Sequence, residues 1–240
     1  MAESRTVRDT LGERFANIKI RIREALDRSK RPADDVTLVA ISKTHPASLI
    51  KQVVDLGATD LGENRVQEAE AKILEVGRYK ARWHLVGHLQ ANKARRAVQL
   101  FDVIHSLDSI ELAKRLDRLC EEEQTKVSVL IQVDLGHEPT KSGVLESDLF
   151  ELAQVVKDCE HLKLLGLMTL PPYLDDLEAV RPFFRKLAML RDQLADAGTF
   201  QDHRGELSMG MTHDFEVAIE EGATMVRVGT AIFGERKTEL

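Results

Sequence analysis

Hydrophobic residues recur along this chain in two patterns that alternate from the amino-terminal region onward. The first stretch has a period near 3.6 residues, which predicts an amphipathic helix over about residues 7–28 that ends before Pro32. Its apolar positions are Leu11, Phe15, Ile18, Ile22 and Leu26. Residues 36–42 form a short β-branched run that is typical of a buried strand. A second helical pattern over residues 47–56 ends at Gly57, and glycine is common just after a helix.

The same alternation continues along the rest of the chain. Seven further strands are predicted near residues 60–62, 82–86, 103–106, 127–133, 163–168, 205–208 and 225–228. Helical patterns lie between them, over residues 66–74, 92–100, 110–123, 148–159, 177–197 and 215–221. Strict alternation of strands and helices favours parallel strands joined by right-handed crossovers. Eight such units predict an α/β fold, a single (β/α)8 TIM barrel over about residues 36–236 with an extra N-terminal helix.

A doubly wound open sheet is the alternative arrangement of the same elements. That fold commonly carries a G-x-G-x-x-G motif after its first strand, and this chain has none there. No long linker, low-complexity tract or shift in composition divides the sequence. We therefore expect residues 1–240 to form one domain.

Composition narrows the class of protein further. The 240 residues carry a formal net charge of −6, with 43% hydrophobic and 31% charged residues, so a disordered chain and a basic nucleic-acid binder are both disfavoured. Cys120 and Cys159 form no C-x-x-C pair, which offers neither a disulfide framework nor a zinc site. The chain shows no signal-peptide pattern and no apolar run near the ~20 residues of a membrane span. We expect a cytoplasmic protein with no nucleic-acid or membrane partner.

The end of the first strand carries Lys43. In a TIM barrel the chemistry is built at the carboxyl ends of the strands. Strand side chains alternate, so Lys43 shares a face with Val39 and Ile41. If that face points into the barrel, burial disfavours the charged amine and lowers its pKa. A neutral amine can condense with an aldehyde to form a Schiff base, whereas the alternative is an ordinary surface lysine.

The last two strands carry residues suited to holding phosphate. Ser208, Gly229 and Thr230 supply small residues and hydroxyl groups where barrels commonly bind a phosphate group. Arg227 lies in the middle of the eighth strand, and a buried arginine requires a partner. That partner is either a structural carboxylate or an acceptor on a ligand.

Three other strand ends offer candidates that also have structural explanations. Asn64 can present an amide to a ligand or cap the next helix. His84 can pack beside a flat ligand or serve as a core histidine, and it lies about 13 Å from His88 in an extended strand, too far to share a metal ion. Met168 can form a wall against an aromatic ring or fill the core. No metal site is predicted.

Together, a Schiff-base lysine, a phosphate cradle and an arginine between them point to pyridoxal 5′-phosphate (PLP) as the cofactor. A Schiff-base aldolase acting on a sugar phosphate fits the same residues equally well. The residues by themselves leave both interpretations open.

The same segments resemble the YggS/PROSC family of pyridoxal phosphate homeostasis proteins. The matching stretches are VAISKT (39–44), LGENRVQE (61–68), WHLVG (83–87), LQANK (89–93), EPTKSG (138–143), GLM (166–168), LSMGM (207–211) and MVRVGTAIFG (225–234). They occur in the family's order and span about residues 7–236. This chain departs from the family at two positions. Thr212 stands where serine is common, and Asp134 stands where asparagine is common.

The resemblance implies a barrel like the N-terminal domain of alanine racemase, with PLP held on Lys43 as a lysine aldimine. It implies that Arg227 faces the pyridine nitrogen. It also assigns Asn64 to the hydroxyl side of the ring, His84 and Met168 to the ring's surroundings, and Ser208, Gly229 and Thr230 to the phosphate. The implied role is to hold, supply or buffer PLP, with PLP-dependent apoenzymes as expected partners and a monomer or weak dimer as the expected state.

The arginine also bears on whether the protein is an enzyme. A guanidinium group cannot accept a proton, so the pyridine nitrogen opposite it stays unprotonated and is a weaker electron sink. Racemases of fold type III also place a tyrosine on the second face of the cofactor from another domain, and this chain has only Tyr79 and Tyr173. We expect a protein that is not an enzyme. The alternative is a PLP-dependent amino-acid racemase or decarboxylase of fold type III.

Overall fold

Eight parallel strands close into a barrel in the structure, a computed structural model that describes residues 10–137, 142–200 and 204–235. The strands follow chain order around the barrel, and the last pairs with the first. They are β1 (Thr37–Ile41), β2 (Asp60–Glu63), β3 (Arg82–Leu85), β4 (Val103–Leu107), β5 (Val127–Gln132), β6 (Leu162–Met168), β7 (Glu206–Met211) and β8 (Met225–Val228). The predicted TIM barrel is confirmed.

Helices cover the outside of the barrel, and each of the eight strands is followed by one. They are α1 (Leu11–Arg28), α2 (Ala47–Asp55), α3 (Val66–Val76), α4 (Ala94–Leu100), α5 (Ile110–Glu122), α6 (Glu146–Asp158), α7 (Leu177–Asp196), α8 (Phe215–Glu220) and α9 (Thr230–Phe233). The extra N-terminal helix is α1, and a capping box between Thr10 and Glu13 sets its start. The part of its predicted range before residue 10 lies outside the described residues. No described helix has the length and hydropathy that crossing a membrane requires.

The hydrophobic core has an outer and an inner layer. The outer layer packs the outward faces of the strands against the helices and contains large buried side chains such as Trp83 and Phe184. The inner layer fills the barrel itself, where Met168, Leu130 and Met225 pack together. Because side chains fill the barrel interior, the barrel is not a pore. A ligand is therefore expected to bind at one end of the strands.

The chain differs from the prediction around its last two strands. Strand β7 continues to Met211, three residues beyond the predicted end. Ser208 is paired with Met225 and Met211 with Arg227, so β7 carries an extra residue there, as in a β-bulge. The single turn α9 was not predicted, and residues 138–141 of the segment 138–143 lie outside the described residues.

Candidate functional site

A cavity of about 450 Å³ opens at the carboxyl-terminal end of the barrel, a volume typical of small-molecule sites. Five of the eight residues assigned to a ligand from the sequence line this cavity, namely Lys43, Asn64, Arg227, Gly229 and Thr230. The other three are fully buried and do not line it, namely His84, Met168 and Ser208. The structure thus brings five of the predicted residues to one surface.

Lys43 reaches the cavity because β1 ends two residues before it. Val39 and Ile41 of β1 pack with Val86 inside the barrel, and Ile41 and Val86 also line the cavity. The sequence left open whether this face of β1 points inward or outward, and in the structure it points into the barrel. Lys43 itself is half-buried and is followed by Thr44, whose φ of 66° turns the chain sharply away from the strand direction. Lys43 thus lines the cavity beside the apolar wall of Ile41 and Val86.

A buried cluster of charges holds the segment that carries Lys43. The ammonium group of Lys72 donates to the main-chain oxygen of Ser42 at 2.8 Å, to Glu63 Oε1 at 2.7 Å and to Glu68 Oε1 at 2.6 Å. The Ser42 hydroxyl donates to Glu63 at 2.6 Å. The main-chain N–H of Thr44 donates to Glu68. Sequence reasoning missed this cluster, although Glu68 and Lys72 have the i, i+4 spacing of a helical ion pair.

Glu63 is the most buried member of this cluster. Burial raises the pKa of its carboxyl group, against the opposing hydrogen bonds from Lys72 and Ser42. Its Oε2 atom has no hydrogen-bond partner among the residues that the structure describes. The carboxylate therefore depends on Lys72 for compensation, and the two residues form a single structural unit behind Lys43.

Arg227 projects from β8 into the barrel interior and reaches the cavity. It donates to the Ser208 hydroxyl at 2.6 Å and to the main-chain oxygen of Thr169 at 2.9 Å. Both of these hydrogen-bond partners of the guanidinium group are uncharged. Burial lowers the pKa of Arg227 to about 10, against the attraction of Asp214, so the group is charged at neutral pH. A buried cation with neutral partners, open to a cavity, suits a ligand that offers an acceptor or negative charge.

The buried residues His84 and Ser208 belong to one hydrogen-bonded row. His84 lies 2.9 Å from Asp60 Oδ1 and 2.8 Å from His105, and His105 lies 2.9 Å from the Ser208 hydroxyl. Ser208 in turn accepts from Arg227. His105 was not identified from the sequence because nothing in its neighbourhood distinguishes it from a core residue. The assignments of His84 to the ring and of Ser208 to the phosphate stay predictions.

Gly229 and Thr230 form the rim of the cavity where β8 ends. A Cβ atom at Gly229 would lie 3.1 Å from the main-chain oxygen of Ile41, so glycine allows β8 to approach β1 closely. Thr230 follows as an exposed residue and begins α9. The first N–H groups of a helix have no partner within the helix. This rim therefore offers a hydroxyl group and main-chain donors to a ligand.

Asn64 and Met168 also received two explanations each from the sequence. Asn64 does not cap α3, since the N-cap position is Arg65 and no side-chain cap is formed there. Asn64 is half-buried and lines the cavity. Met168 is fully buried among the side chains that fill the barrel, and Leu170, two residues later, lines the cavity instead. The assignment of Met168 to the surroundings of the cofactor ring stays a prediction.

Several cavity residues were not predicted from the sequence as ligand contacts. Tyr173 stacks on His213 at the cavity mouth, with ring centroids 5.1 Å apart, and Tyr173 is 73% exposed. Thr212 also lines the cavity. Asp214 holds this loop, because its carboxylate accepts from the N–H of Met211 at 2.6 Å. Loops after β6 and β7 supply these residues, and loop positions carry no periodic signal.

The described residues contain no group of three or more histidine, cysteine, aspartate or glutamate side chains arranged to hold a metal ion. The residues that line the cavity instead offer an amine, a guanidinium group, an amide, hydroxyl groups, two imidazole rings and an apolar wall. This donor set fits a flat ligand that carries an aldehyde and a phosphate group.

Comparison with known proteins matches residues 16–237 to the family described as alanine racemase, N-terminal domain. The pyridoxal phosphate homeostasis protein of Aquifex aeolicus is 43% identical over 225 residues, which cover 94% of this chain and 98% of that protein. The protein of the same name from Escherichia coli K12 is 39% identical over 231 residues and covers 94% and 97%.

A solved structure extends the similarity to three dimensions. PipY of Synechococcus elongatus, in the form with PLP bound, is 37% identical, has a TM-score of 0.81, and covers 94% of this chain and 100% of that chain. Family match, sequence identity and fold thus agree over nearly the whole chain. With its amine and buried arginine at the mouth of such a barrel, the chain belongs to the family of pyridoxal phosphate homeostasis proteins, which share the fold of the alanine racemase N-terminal domain.

Proposed function

We propose that this protein binds PLP in the cavity at the carboxyl end of the barrel and serves PLP homeostasis in the cytoplasm. In this proposal Lys43 holds the cofactor covalently through its ε-amine. The protein thereby keeps the reactive aldehyde bound and supplies it to, or buffers it for, PLP-dependent apoenzymes. It acts as a monomer or weak dimer.

The observation that carries this proposal is the shared position of Lys43 and Arg227. Both line one cavity, and the buried guanidinium group has only neutral partners among the described residues. PLP supplies an aldehyde that condenses with a primary amine, and its pyridine nitrogen is an acceptor. Lys43 meets the first requirement and Arg227 the second. The relatives named for pyridoxal phosphate homeostasis and the PLP-bound PipY structure support the same assignment.

The remaining cavity residues have roles that their chemistry suggests. Thr230 and the main-chain groups after Gly229 bind the phosphate; Ser208, assigned to the phosphate from the family resemblance, lies beneath them with its hydroxyl bonded to His105 and Arg227. Asn64 binds on the hydroxyl side of the ring, while His84 and Met168 shape the surroundings of the ring. The walls of Ile41 and Val86 exclude water from one side of the cavity.

We propose further that the protein is a carrier and not an enzyme. Arg227 cannot accept a proton, so it leaves the pyridine nitrogen unprotonated. Tyr173 is the one tyrosine at the cavity, but it is 73% exposed and stacked on His213 at the mouth. A racemase or decarboxylase of fold type III remains the rival function. Incubation of the PLP-loaded protein with L-amino acids in deuterium oxide separates the two: a carrier gives no enzyme-like exchange at Cα, and rapid exchange would establish catalysis.

Borohydride reduction of the PLP-loaded protein tests the covalent site. We expect mass spectrometry to find the pyridoxyl group on the peptide that contains Lys43, and Lys43→Ala to lose it. Lys51→Ala is the matched control, since Lys51 is exposed and pairs with Glu75 on the outer surface. A label that persists in Lys43→Ala at the parental level would place the cofactor elsewhere.

Transfer of the cofactor tests the homeostatic role. The loaded protein is mixed with a PLP-dependent apoenzyme, and recovery of the apoenzyme's activity is followed against an equal concentration of free PLP. We expect the loaded parent protein to restore activity. Lys43→Ala is desalted after loading, which removes cofactor that is not held covalently, and we expect it to restore none. Failure of the loaded parent protein to restore any activity would remove the supply role and leave buffering.

A further inference from the structure

A row of five polar side chains crosses the interior of the barrel. It begins at Asp60, the first residue of β2, and continues through His84 on β3, His105 on β4 and Ser208 on β7 to Arg227 on β8. The successive distances are 2.9, 2.8, 2.9 and 2.6 Å. All five residues are buried, and the two imidazole rings are fully so. The row thus joins the amino-terminal end of the barrel to the candidate cofactor cavity.

With both imidazole rings neutral, the two ends of the row fix the direction of every hydrogen bond in it. Arg227 can only donate, and an ionised Asp60 can only accept. Burial alone would raise the pKa of Asp60, but hydrogen bonds from His84 and Thr59 hold it below its ordinary value. His84 must therefore donate from Nε2 and accept at Nδ1, so His105 donates from Nε2 and accepts at Nδ1. Ser208 then donates its one hydroxyl proton to His105 and accepts from Arg227.

Both imidazoles are neutral because they are buried. Burial lowers the pKa of His84 and, more strongly, that of His105. An added proton on His105 would make its Nδ1 a donor, and the Ser208 oxygen would then accept from both His105 and Arg227 while its own proton left the row. The row is therefore a neutral bridge between the carboxylate of Asp60 and the guanidinium group of Arg227.

The row leaves Arg227 little freedom of orientation. Ser208 accepts from one terminal nitrogen of the guanidinium group, and the main-chain oxygen of Thr169 accepts from the other. A planar group held at two of its nitrogens keeps one direction toward the cavity. The bond from Ser208 to His105 fixes the orientation of the hydroxyl group, and with it the direction in which Ser208 accepts from Arg227.

We infer that His105 and His84 are positioning residues for Arg227: through Ser208 they fix the guanidinium group in the orientation that donates to the pyridine nitrogen of PLP. The inference rests on the proposed function, since it concerns the same cavity. Neither histidine needs to touch the cofactor, because both act through Ser208.

The experiment compares two probes with purified protein. One is PLP, and the other is its carbocyclic analogue, in which C–H replaces the pyridine nitrogen. Both carry the same aldehyde and phosphate groups, so the ratio of their dissociation constants reports the contact of the ring nitrogen alone. A hydrogen bond to a charged donor predicts that the parent protein prefers PLP by about 10- to 100-fold.

His105→Leu removes the acceptor for Ser208 and is expected to reduce this preference to about 2-fold or less, mainly by weakening PLP. His105→Gln restores an acceptor and a donor on one side chain and is expected to recover most of the preference. His161→Leu is the matched control, since His161 lies at the amino-terminal end of β6, outside the row. If His105→Leu does not fold, Ser208→Ala provides the same test with a smaller change.

The outcomes separate this inference from the proposed function. Parental preference for PLP in folded His105→Leu or Ser208→Ala would overturn the inference while leaving PLP binding intact. Equal weakening of both probes would show a merely structural role and would overturn it as well. If the parent protein binds neither probe, the proposed function itself fails.

Discussion

The buried ammonium group of Lys72 donates to the main-chain oxygen of Ser42 at 2.8 Å. Ser42 directly precedes Lys43 in the chain. The same group also bonds Glu63 and Glu68, so one side chain on α3 ties the end of β1 to the end of β2. The amine of the candidate site is thus placed by a second, buried lysine that does not line the cavity.

Replacement of Lys72 by methionine is expected to destabilise the protein by about 3–5 kcal/mol, because Glu63 would remain buried without its cation. Urea unfolding followed by circular dichroism measures the change. Lys51→Met is the control: its exposed pair with Glu75 is expected to contribute less than about 1 kcal/mol. The double variant Glu63→Gln/Lys72→Met should be more stable than Lys72→Met alone, and similar losses for Lys72→Met and Lys51→Met would contradict the prediction.

The buried histidines predict loss of stability in mild acid. The pKa values of His84 and His105 are lowered by burial, so near pH 6 the unfolded chain binds protons that the folded protein does not. The contribution of these rings to stability is complete above the unfolded pKa of about 6.5 and is lost as the pH falls below it. Each ring contributes a slope of up to about 1.4 kcal/mol per pH unit. Urea unfolding between pH 7 and pH 5 measures it, and His105→Gln should have a shallower slope than the parent; equal slopes would refute the assignment.

Gly210 is expected to tolerate no side chain. Its φ is 89°, and an added Cβ would lie 2.6 Å from the Cβ of Ala218 and 2.9 Å from the Cα of Phe215. Gly57 has a similar φ of 95°, but a Cβ atom added there would have no neighbour within 4 Å. Gly57→Ala is therefore expected to destabilise the protein only through backbone strain, by about 1–3 kcal/mol. Gly210→Ala should lower the urea midpoint clearly further than Gly57→Ala. Equal midpoints would mean that the end of β7 adjusts freely to the added side chain.

Thr230→Ala tests the phosphate end of the cavity. If Thr230 donates to the phosphate, its loss should weaken PLP binding by about tenfold or more, as for a hydrogen bond to a charged group. The residue labelled after borohydride reduction should remain Lys43, since the amine is untouched. Equilibrium dialysis measures the affinity, with Thr125→Ala before β5 as the control. An affinity equal to that of the parent would remove Thr230 from the phosphate site.

The sequence predicted the order and type of the main elements because each is encoded locally. A strand such as β8 was predicted with its observed bounds, from a short β-branched and apolar segment that is interrupted only by Arg227. Strand β7 was predicted too short, since the segment from Ser208 to Met211 contains a glycine and has no local strand pattern. Its pairing with β8 extends it, and that pairing comes from the closed barrel.

The sequence by itself determined that strands and helices alternate eight times and that Lys43 follows the first strand, because hydrophobic period and strand ends are local properties. Tertiary structure decided which polar groups meet. His105 and Ser208 are 103 residues apart in the chain and 2.9 Å apart in the barrel. Closure of the barrel turns side chains of β4 and β7 toward a common interior. A polar group buried there is unfavourable unless it forms a hydrogen bond, so the two side chains pair with each other. No spacing along the chain carries that information.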